Sequence, residues 1–585
     1  MEASVSGRNQ IISMTSMPQP TASPAERWGL LEPPIAEFSG SLSKPSRFER
    51  LIGLLLRPTV MLVVLSAMVI TRDINKGEFF YHTDEMSHAM NGVFLRDFFA
   101  DRPFQHPLQY AYQYYAKYPA IAFPHWPPLF YAVEGVFFLI FGLSPWVSRL
   151  VVLGFALLGI YFWYRIVEPL APRSRAFFST LILACLPYVL VFERVTMLEI
   201  PALAVCLGAI HFWLKFLETE GRRDLWALAA FLVAGFLISQ AAIFLVFFIL
   251  VDLIVERRFR LLARGEVWLA LLLSVAAVLP WYILTQRTER ALGTVATRLI
   301  GHGFAYLTRV DTYTYYLVHL YQQLGAVLLC FGVIGLVIAL LRPTRAHRLM
   351  VVWLLSGFLC FTLISEKDPR HTMVWIPPLV YLGLLALDTL CFRRAWALIA
   401  SSMVALLFFA NAARSERPIV TGPKEAAQYV LSQPESDVVY YQGFLNGDFI
   451  FYIRKFDPNK SHMVAREKQV VVGHLGGEPR PVLHSAQEVL NFFQTWGIRY
   501  AIIEDRDPYA GFTPVRELVN SGKFELVQTL PVLTNQPNFP VHQIQVFRYR
   551  GELHRTAQTV TIPMQTIRQN IPANLSSLVG RPWPN

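Results

Sequence analysis

A succession of apolar runs constrains this chain most. From about residue 51 to residue 412, segments close to the roughly 20 residues that cross a bilayer alternate with short polar turns, and arginines gather on every second turn. Backbone groups in lipid must be satisfied within the segment, so such runs have to be helices. With 54% hydrophobic residues among 585 and a mean hydropathy of +0.39, the chain reads as a multi-pass membrane protein with a polar tail.

The positions of the basic residues orient it. Residues 127–142 form an apolar run of about 16, short for a span, opening on Pro127-Pro128, which suits an interfacial or re-entrant helix. If that run does not cross, the turns holding Arg165, Arg173 and Arg175, then Lys215, Arg222 and Arg223, then Arg257, Arg258, Arg260 and Arg264, then Arg342, Arg345 and Arg348, and finally Arg393 and Arg394 share one side. The positive-inside rule makes that side cytoplasmic. Lys44, Arg47, Arg50 and Arg57, before or at the opening of the first span, agree. The fold class expected is mainly α: a polytopic helical membrane domain over 49–412, with about eleven spans plus interfacial helices, followed by a small soluble α/β domain. Residues 225–255 should form a hairpin turning at Ser239-Gln240.

Residues 1–48, rich in Ser, Pro and Ala, read as a disordered cytoplasmic lead. The first apolar run follows this long polar lead, so it reads as an uncleaved anchor. After Asn411 strand-like 438–441, 470–472, 500–504 and 544–549 alternate with helix-like 423–432, 486–496 and 515–521, implying an extracytoplasmic domain over 413–585 with a partly parallel sheet. Five cysteines lie in or beside apolar runs, which implies neither a disulfide framework nor a cysteine metal site. The net charge of +11 sits between apolar runs, where it meets lipid head groups, and so argues against nucleic acid.

The outer turns carry the unusual charge. In the first outer loop, 71–126, Asp84 and Glu85 follow a span directly, with His82 and His88 nearby and Lys117 and His125 further along. Asp84 and His88 share a helix face, but no His-Glu-x-x-His or second acidic cluster accompanies them, so a resident metal is not the reading. The second outer turn holds Glu193, Arg194 and Glu199. The third holds Glu366, Lys367, Asp368, Arg370 and His371, basic residues on the side that positive charge avoids. Each alone reads as a solvated or capped turn; together they suit a lipid phosphate held by Arg194, Lys367, Arg370 and His371 and facing a carboxylate base. Group transfer from a lipid phosphate to a hydroxyl or amine then needs cations for the leaving group more than a strong acid.

At these residues the chain resembles the GT-C class of membrane glycosyltransferases, in the branch of protein O-mannosyltransferases and aminoarabinose transferases, over about 51–412. Asp84 matches the family's catalytic base and Glu85 its acidic neighbour, both entered here as catalytic. Trp126-Pro127-Pro128-Leu129 resembles the start of its interfacial helix, Arg194 and Glu199 an Arg-x(4)-acidic pattern, Lys367 and Arg370-His371 its late basic motif, and Pro280-Trp281-Tyr282 a further element. Glu199, His88, Lys117 and His125 are supporting positions. Relatives often have Tyr at His88, Asp at Glu199 and Thr-Lys at Ser239-Gln240, which removes one phosphate contact. The resemblance implies a polyprenyl-phosphate sugar as donor and an extracytoplasmic acceptor, either glycolipid, polysaccharide or protein. It also implies inversion on the periplasmic or extracytoplasmic face of the plasma membrane, with no required cofactor and a divalent cation as an option.

A transporter or flippase would instead place ionisable groups midway through spans and show inverted halves. His211, Asp252 and Asp388 are the nearest to that pattern, each near a cytoplasmic end. A membrane-anchored interaction protein would not require Asp84 and Arg194 to converge.

Overall fold

The computed structural model describes residues 57–79, 82–122, 124–289, 304–365, 367–391, 393–472, 480–506, 514–564 and 569–579. The expected lead over 1–48 and Glu366 lie outside them. Residues 56–585 belong to one compact unit.

Among the described residues, six helices are long and apolar enough to cross a membrane: Pro145–Val167, Glu199–Thr219, Gly265–Arg287, Val310–Leu341, Pro369–Leu390 and Arg394–Arg414. A seventh crossing is the pair Arg173–Cys185 and Pro187–Glu193, bent by 64°. Pro187 follows Leu186, whose extended backbone interrupts the helix, as a residue before proline must. Pro58–Ile70, Leu129–Phe141 and Gln240–Val255 are shorter apolar helices. Arg222–Ile238 and Ile243–Val255 form the expected hairpin. The Ser239 hydroxyl accepts the Ala241 N–H at its turn. The count by length and composition is therefore lower than the eleven expected, because several expected spans are short helices.

Packing follows side-chain size. Val310–Leu341 lies against Ile376–Leu390, and a Cβ on Gly335 would stand 1.9 Å from the Leu382 carbonyl oxygen. Only a residue without Cβ permits that approach. Gly265–Arg287 has just 6% of its apolar window buried, leaving Trp268, Leu272 and Leu279 exposed on its surface. In a chain of this composition that surface is a lipid face.

The C-terminal sheet runs in the order Met463–Arg466, Val438–Gln442, Tyr500–Glu504, Gln543–Tyr549, Phe524–Pro531. The first three strands are parallel and the last two antiparallel. Every residue of Val438–Gln442 and Tyr500–Glu504 is buried, as expected for strands covered on both faces. Strand Val471–Val472 falls outside this sheet and pairs with Arg480–Pro481.

Segment 71–126, expected as the first outer loop, holds helices His82–Asp101 and Pro107–Lys117. Their Met86, Met90, Phe94 and Tyr114 share one apolar core with Tyr441, Phe449 and Ile450 of the C-terminal region. A Cβ on Gly447 would stand 2.7 Å from that of Met86. The boundary near residue 413 therefore divides the chain but not the packing.

Candidate active site

Helix His82–Asp101 opens with Asp84 and Glu85 in its first turn, where the helix dipole favours carboxylates. Helix Glu199–Thr219 likewise places Glu199 at its first position. Between them comes the turn leading into Pro369–Trp375, which Asp368 caps by accepting the Arg370 N–H, a standard use of Asp at that position.

Arg370 is the hub. One of its terminal nitrogens lies 3.3 Å from an Asp84 oxygen and 3.3 Å from a Glu199 oxygen. Its Nε and other terminal nitrogen reach Asp368 at 2.9 and 2.7 Å. Asp84 and Arg370 are 286 residues apart in sequence, so three separate segments bring carboxylates around one guanidinium. Burial alone would raise the Asp368 carboxyl, but hydrogen bonds from Arg370 and its charge hold it below the ordinary carboxylate range. Sequence reasoning left Asp368 out of the site; its signal was its position as an acid two residues before Arg370.

Around this hub stand aromatic and basic groups. The His371 ring stacks on Phe361 at 4.7 Å and its Nδ1 lies 3.2 Å from the Tyr316 hydroxyl. Lys367 donates to the carbonyls of Phe361 and Thr362 at 2.8 and 2.7 Å and lies over the rings of Tyr306 and Tyr316. Burial lowers its ammonium to about 8. His88 meets the Tyr131 hydroxyl at 2.6 Å, and burial pulls its imidazole down to about 4, which keeps it neutral. His125 stands edge-on to Trp126 at 4.7 Å, and Trp126 also meets His88.

Three expected site residues are placed otherwise. Glu85 is 1% exposed and accepts the Thr196 N–H at 2.9 Å, tying the Asp84 helix to the turn that precedes helix Glu199–Thr219. Arg194, expected to hold phosphate, is 2% exposed. Its guanidinium donates to the carbonyls of Val69, Ala412 and Ser415 at 2.7, 3.3 and 2.9 Å. It staples the C-terminal ends of helices Pro58–Ile70 and Arg394–Arg414, because helix C-termini leave carbonyls without intrahelical donors. Lys117 is fully buried and donates to the Lys460 carbonyl in the C-terminal region. Arg149 and Arg417, which the sequence did not single out, also cap backbone: Arg149 binds the carbonyls of Ile74 and Lys76, and Arg417 those of Arg194 and Ile70.

Among the described residues no group of three or more His, Cys, Asp or Glu is placed to hold a metal ion. The arrangement offers a part-exposed carboxylate, Asp84, beside the Arg370 guanidinium, with the Lys367 ammonium held separately on the Phe361 and Thr362 carbonyls. That set can take a proton and bind an anion together.

Comparison with known proteins bears on the fold. A family model for dolichyl-phosphate-mannose-protein mannosyltransferase matches residues 125–284. A putative mannosyltransferase of Bacillus subtilis, YkcB, is 29% identical over 127 residues, which is 21% of this chain and 17% of that protein. The match thus spans less than a fifth of that relative's length. Among solved structures, ArnT from Cupriavidus metallidurans bound to undecaprenyl phosphate superposes with a TM-score of 0.57 at 16% identity, over 85% of this chain and 98% of that one. The Archaeoglobus fulgidus oligosaccharyltransferase, in complex with Zn and sulfate, gives a TM-score of 0.50 at 12% identity, over 77% of this chain and 68% of that one. In fold, then, this chain is similar to ArnT: a membrane protein by its long apolar helices, mainly helical with a sheet-containing C-terminal region.

Proposed function

We propose, from the GT-C fold and the meeting of Asp84 with Arg370, that this chain is a membrane glycosyltransferase. It takes a sugar from a polyprenyl-phosphate donor and passes it to an extracytoplasmic acceptor by a single inverting displacement. The observation that carries the reading is the 3.3 Å approach of Arg370 to both Asp84 and Glu199. The ArnT structure with undecaprenyl phosphate and the mannosyltransferase family match support a lipid-linked donor.

In this reading Asp84 accepts the proton of the acceptor hydroxyl or amine as its oxygen or nitrogen attacks the anomeric carbon. The bond from that carbon to the phosphate oxygen breaks, and its electron pair leaves with the polyprenyl phosphate. Arg370 and Lys367 hold the phosphate as its charge grows, an arrangement in which each donor contributes roughly 3 to 4 kcal/mol. Glu199 and Asp368 fix the guanidinium plane, and His371 and Tyr316 wall the same side. Glu85 positions the Asp84 helix through Thr196, and Arg194 and Lys117 act in the scaffold. No step is assigned to a divalent cation.

The test is transfer of radiolabelled sugar from a panel of polyprenyl-phosphate donors by the purified full chain, with membrane extract as acceptor source and Asp84→Asn in parallel. Transfer by wild type but not by folded Asp84→Asn supports the reading. Absence of both transfer and donor binding across the panel would favour a transporter, which a flux assay would then address.

A further inference from the structure

The turn that presents Arg370 is held by side chains from another helix. Segment Pro369–Trp375 opens on a proline, which brings no N–H to that position, and the Pro369 carbonyl is where the holding contacts gather. Gln323 donates to it through Nε2 at 3.0 Å. The Thr372 hydroxyl lies 2.7 Å from it, and the Tyr188 hydroxyl reaches it at 3.4 Å. The Thr372 hydroxyl also meets Gln323 Oε1, so one amide and one hydroxyl tie residues 369 and 372, on either side of Arg370.

Both ends of the Gln323 amide are used with fixed polarity. A carbonyl only accepts and a hydroxyl can donate, so the NH₂ faces Pro369 and the oxygen faces Thr372. Gln323 is 8% exposed and Thr372 fully buried, where water is poorly placed to replace a lost partner. Gln323 stands on helix Val310–Leu341, two residues before Gly325, whose φ of 74° interrupts the helix; glycine takes that conformation without strain. The half before the break buries Thr312, Tyr316, Leu320 and Gln323, which at that spacing share one face. Since Tyr316 meets His371 Nδ1 at 3.2 Å, this face touches the turn at residues 369, 371 and 372.

We propose that Gln323 and Thr372 are positioning residues for Arg370, fixing its turn so that the guanidinium addresses Asp84, Glu199 and the donor phosphate from one place. Neither residue touches the reacting atoms. The approach of Arg370 to both carboxylates at 3.3 Å depends on where the backbone of residue 370 stands, and a misplacement of about 1 Å can cost about 10²-fold in a transfer reaction. The inference rests on the phosphate-holding role proposed above for Arg370.

Affinity of the purified full chain for undecaprenyl phosphate, measured by native mass spectrometry, reads the effect. Gln323→Leu, which removes the amide at similar size, should bind about ten-fold more weakly than wild type. Thr372→Val should do the same, and Thr372→Ser, which keeps the hydroxyl, should recover most of that loss. In an Arg370→Lys background Gln323→Leu should weaken binding no further, because its effect passes through the guanidinium. Hydrogen–deuterium exchange over residues 368–375 should quicken in Gln323→Leu and Thr372→Val. A thermal scan establishes that each variant is folded, and should Gln323→Leu fail to fold, Thr372→Val against Thr372→Ser carries the test. Equal binding by wild type and Gln323→Leu, or unchanged exchange, would overturn the proposal. So would the same factor lost in both backgrounds, which would make Gln323 a purely structural residue. Wild-type affinity in Arg370→Lys alone would instead overturn the phosphate-holding role of Arg370, and the inference with it.

Discussion

Arg454 and Asp97, 357 residues apart in sequence, meet in a two-pronged ion pair at 2.7 and 2.9 Å. Their side chains are 5% and 2% exposed. Tyr114 donates to the same carboxylate at 2.7 Å, and Arg454 also reaches the Asp457 carbonyl. Asp97 stands on the Asp84 helix, thirteen residues or about 20 Å further along, so the C-terminal region grips the helix that carries the proposed base. Removing one member of such a buried pair strands the other charge, at about 3–5 kcal/mol. Arg454→Ala should therefore lower the unfolding temperature sharply, whereas Arg454→Met with Asp97→Leu should recover much of the loss. A thermal scan in detergent checks this, and a double variant no better than the single would refute the stranded-charge account.

Asp84 and Arg370 should separate in kinetics. A general base contributes about 10²–10⁴-fold, so on the proposed role for Asp84 the variant Asp84→Asn should lose that factor in kcat while donor binding persists. Arg370→Lys keeps the charge but loses the planar fork that engages Asp368, so it should raise the donor KM as well as lower kcat. Steady-state kinetics with a defined donor distinguish these outcomes. Equal, small effects on both parameters from Asp84→Asn would remove it from the role of base.

Much of this arrangement was legible in the sequence because it depends on local pattern. Apolar runs gave the membrane helices, and alternation gave strands Val438–Gln442, Tyr500–Glu504 and Gln543–Tyr549 nearly to the residue. Asp84, Glu199 and Arg370 could be grouped because the positive-inside rule sorted their turns to one side, although their contact could not be read. Helix Asn446–Phe456, buried at nine of its positions, was missed because its run of Phe, Ile and Tyr resembles a strand as much as a helix. The placement of Arg194 on backbone carbonyls was not legible for a different reason. A lone arginine in an outer turn has the same sequence signature whether it faces phosphate or carbonyls, and only the ends of two distant helices decide which.

The close helix crossing at Gly335 gives a contrast within one residue type. Gly335→Ala would drive a methyl into the Leu382 carbonyl at 1.9 Å, and because that atom is backbone the two helices must part. Overpacking of this kind costs about 1–3 kcal/mol. Gly154, in helix Pro145–Val167, has nothing within 4 Å of its ideal Cβ, so Gly154→Ala should gain about 0.5–1 kcal/mol of helix preference. Opposite shifts in unfolding temperature are expected. Shifts of the same sign would mean the crossing can relax.

Lys117 supplies a pH dependence whose sign is fixed by its burial. Its ammonium donates to the Lys460 carbonyl, and desolvation lowers it from 10.5 to about 7, only partly offset by Asp457, with Lys460 and Arg454 acting in the same direction as burial. Between those two values the unfolded chain binds a proton that the folded chain has released, so stability rises with pH across about 7 to 10.5. Lys117→Met removes this group's contribution. The variant should thus be favoured most at pH 7, and its advantage should shrink by up to about 1.4 kcal/mol per pH unit as pH rises. Unfolding temperatures of both proteins at pH 7, 8 and 9 measure the trend. Parallel curves would show that Lys117 keeps its proton in the folded protein, held by Asp457 more strongly than burial opposes it.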